Sequence, residues 1–223
     1  MRIKLMNLTT QKPDRTRIPH QYARQWFVKD QNPTEPAVQV FMTQKAFQQV
    51  NMHAKSDLDN EVGGWLLGRW CWDEERMEEF IIVDETLAAP LVRSSSTYLT
   101  FTQDTQVKML DTLEEFYPDK SVVGWYHTHP RMSIFLSSYD TFLHENFFPH
   151  PWQVALVVEP YTHQGGFFIR DGEHQLDPRR FYGFYELGEG QNGSVVDWRN
   201  LKPGRLANQE LEKREMEEQD DAN

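Results

Sequence analysis

Between residues 38 and 185 the spacing of apolar side chains switches repeatedly between a period of two and a period of three to four, and that alternation admits few architectures. Strands are predicted over 38–42, 63–72, 80–87, 122–127 and 152–158. The second and third form a hairpin across the charged turn at 73–76. Thr43 caps a first helix with Ala46, Phe47, Val50 and Ala54 on one face, and Thr102 caps a second whose stripe is Val107, Leu110, Leu113 and Tyr117. A third helix runs from Ser137 to about Asn146. Residues 167–170 and 174–176 read as a hairpin about Asp171-Gly172, and 181–185 as a last strand. The expected fold class is α/β, one mixed sheet flanked by helices, with a strand order that periodicity leaves open.

Domain limits follow from where the pattern stops. Residues 1–36 hold Pro13, Pro19, Pro33 and Pro36 and read as an irregular arm with a short strand near 25–28. The globular domain is expected over 37–187. Residues 188–223 form an extension, and its last 15 residues hold seven acids and two bases, −5 of the chain's net charge of −11. That tail reads as a solvated helix fraying into disorder. With 39% hydrophobic and 13% aromatic residues the rest has ample material for a core.

Composition also narrows the chemistry. Cys71 is the single cysteine, so internal disulfides and sites built on two thiolates are excluded, and a metal site has to use histidines and carboxylates. The acidic balance repels phosphate backbones, so nucleic acid is not an expected partner. No apolar run approaches the roughly 20 residues that span a bilayer. The expected location is cytoplasmic, with no membrane partner.

The chemistry gathers in Gly124-Trp125-Tyr126-His127-Thr128-His129-Pro130. Two residues apart on a strand, His127 and His129 point to one face, and Pro130 ends the pairing behind them. Asp140, in the first turn of the next helix, adds a carboxylate. Two histidines and one carboxylate leave a fourth position open, which is the catalytic pattern for zinc and not the closed structural one. In that position a water's pKa falls to about 7.

His127-Thr128-His129, seven residues, Ser137, two residues and Asp140 resembles the H-x-H-x7-S-x2-D signature of the JAMM (MPN-plus, JAB) metalloproteases. Glu61-Val62-Gly63-Gly64-Trp65-Leu66-Leu67-Gly68 is similar to the family segment that opens with its catalytic glutamate, and Gly124-Trp125-Tyr126 matches its lead-in. The similarity spans about residues 37–185. It implies a single-domain JAMM/MPN, cytidine-deaminase-like fold. It implies that His127, His129 and Asp140 hold Zn2+, and that Glu61 takes a proton from the attacking water and passes it to the leaving amine. Ser137 is then the donor to the carbonyl oxygen as charge gathers there. The implied activity is deubiquitinase-like, a peptidase or isopeptidase cutting after the C-terminal tail of ubiquitin or a ubiquitin-like modifier.

Other assignments stay open at this level. Asp57 and Asp59 compete with Glu61 for the proton carrier, and His144, four residues after Asp140 on the same helix face, competes as a ligand. Ser137-x-x-Asp140 is also a capping box. Two departures bear on the substrate channel. Phe135 stands where the family usually has Trp, and the intervals 89–98 and 146–152 are short for the insertions that hold a second ubiquitin in some relatives. Two further functions are compatible with the sequence: a non-catalytic MPN-type scaffold, and a metallohydrolase of small-molecule amides.

Overall fold

The computed structural model describes residues 12–31, 36–90, 103–188 and 193–206. In chain order they form β1 (Asp14–Arg15), a 3-10 turn (His20–Tyr22), β2 (Ala23–Val28), β3 (Gln39–Thr43), α1 (Gln44–Ala54), β4 (Gly63–Asp73) and β5 (Glu78–Ala88). There follow α2 (Gln103–Phe116), β6 (Ser121–Thr128), α3 (Ser138–Phe147), β7 (Val154–Glu159), β8 (Gln164–Phe168), β9 (Phe184–Leu187) and β10 (Leu201–Leu206). The strands make one mixed sheet in the order β10-β2-β9-β3-β5-β4-β6-β7-β8, and β1 pairs with the far end of β4. This is the mixed α/β sheet flanked by helices that the alternation of periods predicts.

The local chemistry accounts for the elements. Thr43 Oγ1 accepts from Ala46 N at 3.2 Å and starts α1. The β4–β5 hairpin closes because the Asp73 carboxylate accepts from the backbone N–H groups of Glu75 and Arg76, with Met77 in the left-handed region at φ 56°. One core layer lies under α1, built from Val40, Phe47, Leu66, Tyr126, Leu156 and Trp198 among others. The opposite layer lies under α2 and α3, around Trp65, Met109, Trp125, Leu143 and Phe148. Between Leu66 and Leu67 the pairing with β6 slips, so that Gly124 and Val122 are matched and Val123 is passed over. This bulge brings Trp125 and His127 to the α2/α3 side.

Several local expectations are corrected. On α2 Leu110, Leu113 and Tyr117 pack against the core as expected, but Val107 is half exposed, and the fully inward residues are Thr105 and Met109. Thr102, the expected cap, lies outside the described residues. Residues 174–176 form no strand. The Asp171 carboxylate accepts from the N–H groups of Glu173 and Gln175 and folds 171–175 into a local turn, while β8 pairs instead with β7. In the N-terminal arm, β2 pairs with both β9 and β10 inside the sheet. In the extension, residues 201–206 form β10 and Trp198 is buried, with its ring where a Cβ on Gly165 would come within 2.6 Å. The acidic segment 209–223 lies outside the described residues.

Candidate metal centre

The site forms at the end of β6, a strand enclosed by β4 on one side and β7 on the other. His127 and His129 lie two residues apart on one face, and both are buried. Between them Thr128 faces the other way and ties β6 to the start of β4. Its Oγ1 accepts from Val62 N at 2.9 Å, and its N–H donates to Val62 O at 2.8 Å. His127 is paired with Gly63. Continuing that antiparallel register by two residues sets Glu61 opposite His129 and on the histidine face. Glu61 is itself buried.

The ligand atoms converge as the spacing predicts. His127 Nε2 and His129 Nε2 are 2.9 Å apart, Asp140 Oδ1 is 3.5 Å from the first and Asp140 Oδ2 is 3.7 Å from the second. These are the one group of three side chains among the described residues placed so that they could hold a metal ion. A tetrahedral zinc with nitrogen and oxygen ligands at about 2.0 to 2.1 Å has neighbouring ligand atoms about 3.3 Å apart, which the three separations bracket. Ring orientation makes the same point. His129 Nδ1 faces the Ser133 carbonyl at 3.2 Å, and a carbonyl only accepts, so Nδ1 donates there and Nε2 is the nitrogen turned to His127 and Asp140. Two ring nitrogens 2.9 Å apart, with a carboxylate at hand, form an environment suited to a cation. The donor set fits zinc.

Asp140 is aimed by the cap of α3. Ser137 Oγ accepts from Asp140 N at 3.1 Å, and Asp140 Oδ2 accepts in return from Ser137 N at 2.7 Å, so a reciprocal capping box fixes the carboxylate. Burial alone pushes the Asp140 carboxyl up, but the adjoining His127, then His129 and Ser137, hold it well below the usual carboxylate range. The other end of α3 is held by Arg170, which donates to Phe148 O at 2.8 Å and His150 O at 2.9 Å. Sequence reasoning missed Arg170, and periodicity carries no signal for it.

The competing residues go elsewhere. Asp57 accepts from the backbone and side chain of Asn60, and Asp59 pairs with Arg131 at 3.3 Å. His144 is fully buried, accepts Trp125 Nε1–H at Nδ1 over 3.1 Å and stands outside the three-residue group. Burial and then Arg170 lower its pKa to about 3, so its ring is neutral at pH 7. Cys71 is buried, which pushes its thiol up to about 11. The ring of Phe135 lies 4.8 Å from that of His129.

Comparison with known proteins agrees with this geometry. The model of the JAB1/Mov34/MPN/PAD-1 ubiquitin protease family matches residues 35–148, just over half of the chain. An uncharacterized protein of Caenorhabditis elegans is 33% identical over 127 residues, 56% of this chain and 38% of its own length. The 26S proteasome non-ATPase regulatory subunit 14 of Dictyostelium discoideum is 30% identical over 139 residues, 61% of this chain and 44% of that protein. The ubiquitin carboxyl-terminal hydrolase RPN11 of Saccharomyces cerevisiae is 28% identical over 140 residues, 62% and 44% of the two chains. The matched region is thus less than half of each of these relatives. With a family model matched across Glu61, both histidines, Ser137 and Asp140, this chain belongs to the JAB1/Mov34/MPN/PAD-1 family.

Proposed function

We propose that this protein is a zinc-dependent peptidase or isopeptidase that hydrolyses the amide bond after the C-terminal tail of ubiquitin or a ubiquitin-like protein. The observation that carries the reading is the convergence of His127 Nε2, His129 Nε2 and Asp140 with Glu61 on the same face. His127, His129 and Asp140 would hold the zinc, which when bound supplies a Lewis acid and lowers the pKa of water. Glu61 accepts the proton of the attacking water and delivers it to the departing nitrogen. The Ser137 hydroxyl donates to the carbonyl oxygen as negative charge collects there. The similarity to RPN11 supports ubiquitin-like substrates over small amides.

The test is cleavage of ubiquitin and ubiquitin-like fusions by the purified protein, with zinc counted by mass spectrometry. One zinc per chain and chelator-sensitive cleavage are expected. Glu61→Gln should lower kcat by about 10² to 10⁴ and still hold zinc, since its role is proton transfer and not coordination. Intact protein that carries no zinc and cleaves no fusion would instead identify a scaffold.

A further inference from the structure

The histidine ligands differ in how they are held. His127 Nδ1 is buried and has no hydrogen-bond partner among the described residues, whereas His129 Nδ1 donates to Ser133 O. That carbonyl returns to the ring because the chain turns back directly after β6. Met132 N donates to His129 O at 3.1 Å, and Arg131 adopts φ 60°, a left-handed conformation that a residue with a Cβ enters only when it is held there.

Asp59 and Tyr161 bind the Arg131 guanidinium, and its backbone is held by Glu159 at the end of β7. Its carboxylate is buried and accepts from Arg131 N at 3.0 Å, from Tyr161 N at 3.0 Å, from Thr162 N at 2.6 Å and from the Thr162 hydroxyl. One carboxylate therefore spans two turns, the one between β7 and β8 and the one that follows His129. We propose that Glu159 is a positioning residue of the metal centre: by accepting the Arg131 N–H it fixes the turn that sets the Ser133 carbonyl against His129 Nδ1, and so sets which nitrogen His129 turns to the ion. The proposal rests on the metal-site reading above. Groups that orient a ligating imidazole change metal affinity by about 10- to 100-fold.

The experiment measures zinc affinity by competition with a chromogenic chelator and the His129 tautomer of the zinc-free protein by nitrogen-detected NMR. Glu159→Ala should weaken zinc binding by about tenfold or more, and His129 should change from the Nδ1–H form to a mixture of tautomers. Thr162→Val, which loses a different donor to the same carboxylate, should change neither. Adding Arg131→Gly to Glu159→Ala should recover part of the affinity, because glycine enters the left-handed region without being held. Should Glu159→Ala fail to fold, Glu159→Met, which fills the space but accepts no backbone N–H, is measured in its place. Unchanged zinc affinity in a folded variant overturns the proposal, as does weakened affinity with the His129 tautomer intact. Wild-type protein that binds no zinc defeats the metal-site reading itself, and the tautomer comparison still decides whether Glu159 orients the ring.

Discussion

His144 is buried a turn beyond Asp140 and remains neutral where an exposed imidazole would take up a proton. Its pKa is lowered from the ordinary 6.5 to about 3 by burial and then by Arg170. The unfolded chain therefore binds a proton that the folded chain refuses as pH falls below 6.5. Stability from this residue is fully present above that pH and is lost towards pH 3, at up to about 1.4 kcal/mol per pH unit. Denaturant titrations between pH 7 and pH 4 should show this slope, and His144→Asn, whose amide can still accept from Trp125, should flatten it. In the sequence, His144 is an i+4 neighbour of a ligand and looks like a rival. Its burial against Trp125 is a tertiary fact that spacing cannot express. The convergence of His127, His129 and Asp140 was legible, because a two-residue step on a strand and a cap at a helix start are local geometry.

Helix α3 is fastened at both ends by different means. At its N-terminus Ser137→Ala should cost about 1 kcal/mol as a lost cap, and zinc affinity should fall as well, because Asp140 Oδ2 loses the cap geometry that aims it. At its C-terminus Arg170→Leu should cost about 2–4 kcal/mol, since buried carbonyls of residues 148 and 150 lose a charged donor. Thermal melts and zinc titrations separate the two: the serine change bears on both, the arginine change mainly on melting. The cap was visible in the sequence as Ser-x-x-Asp, whereas the guanidinium comes from beyond β8 and meets the helix only in the folded chain. The same limit explains the α2 stripe, where period counting found Leu110, Leu113 and Tyr117 but took Val107 in place of the buried Met109. Likewise the β6 bulge, which brings Trp125 and His127 to one layer, has no counterpart in a strict two-residue alternation.

At the scale of the molecule the chain's two outer segments close the sheet. Glu186, buried on β9, accepts from Trp26, Gln44, Ser194 and Val195, and so joins the N-terminal strand, α1 and the C-terminal segment at one carboxylate. Trp198 packs on Phe47 and Phe184 and donates to Asn51 at 3.0 Å. Trp198→Ala should therefore cost about 3–5 kcal/mol, and a chain ending at 187 should melt far below one that keeps residues 188–223 by circular dichroism. Proline punctuation and charge made these segments read as appendages, because an edge strand such as β10, carrying Pro203, lacks the alternation of an inner one. The opposite margin of the sheet is stoppered. The Asn200 amide occupies both the N–H and the C=O of Gly165, at 3.1 and 2.9 Å, and Tyr182 does the same for Phe167 at 2.7 and 2.9 Å. A neighbouring molecule seeking to zip onto β8 finds its docking rungs already taken, so crowding in concentrated solution has no template there from which to grow a fibre.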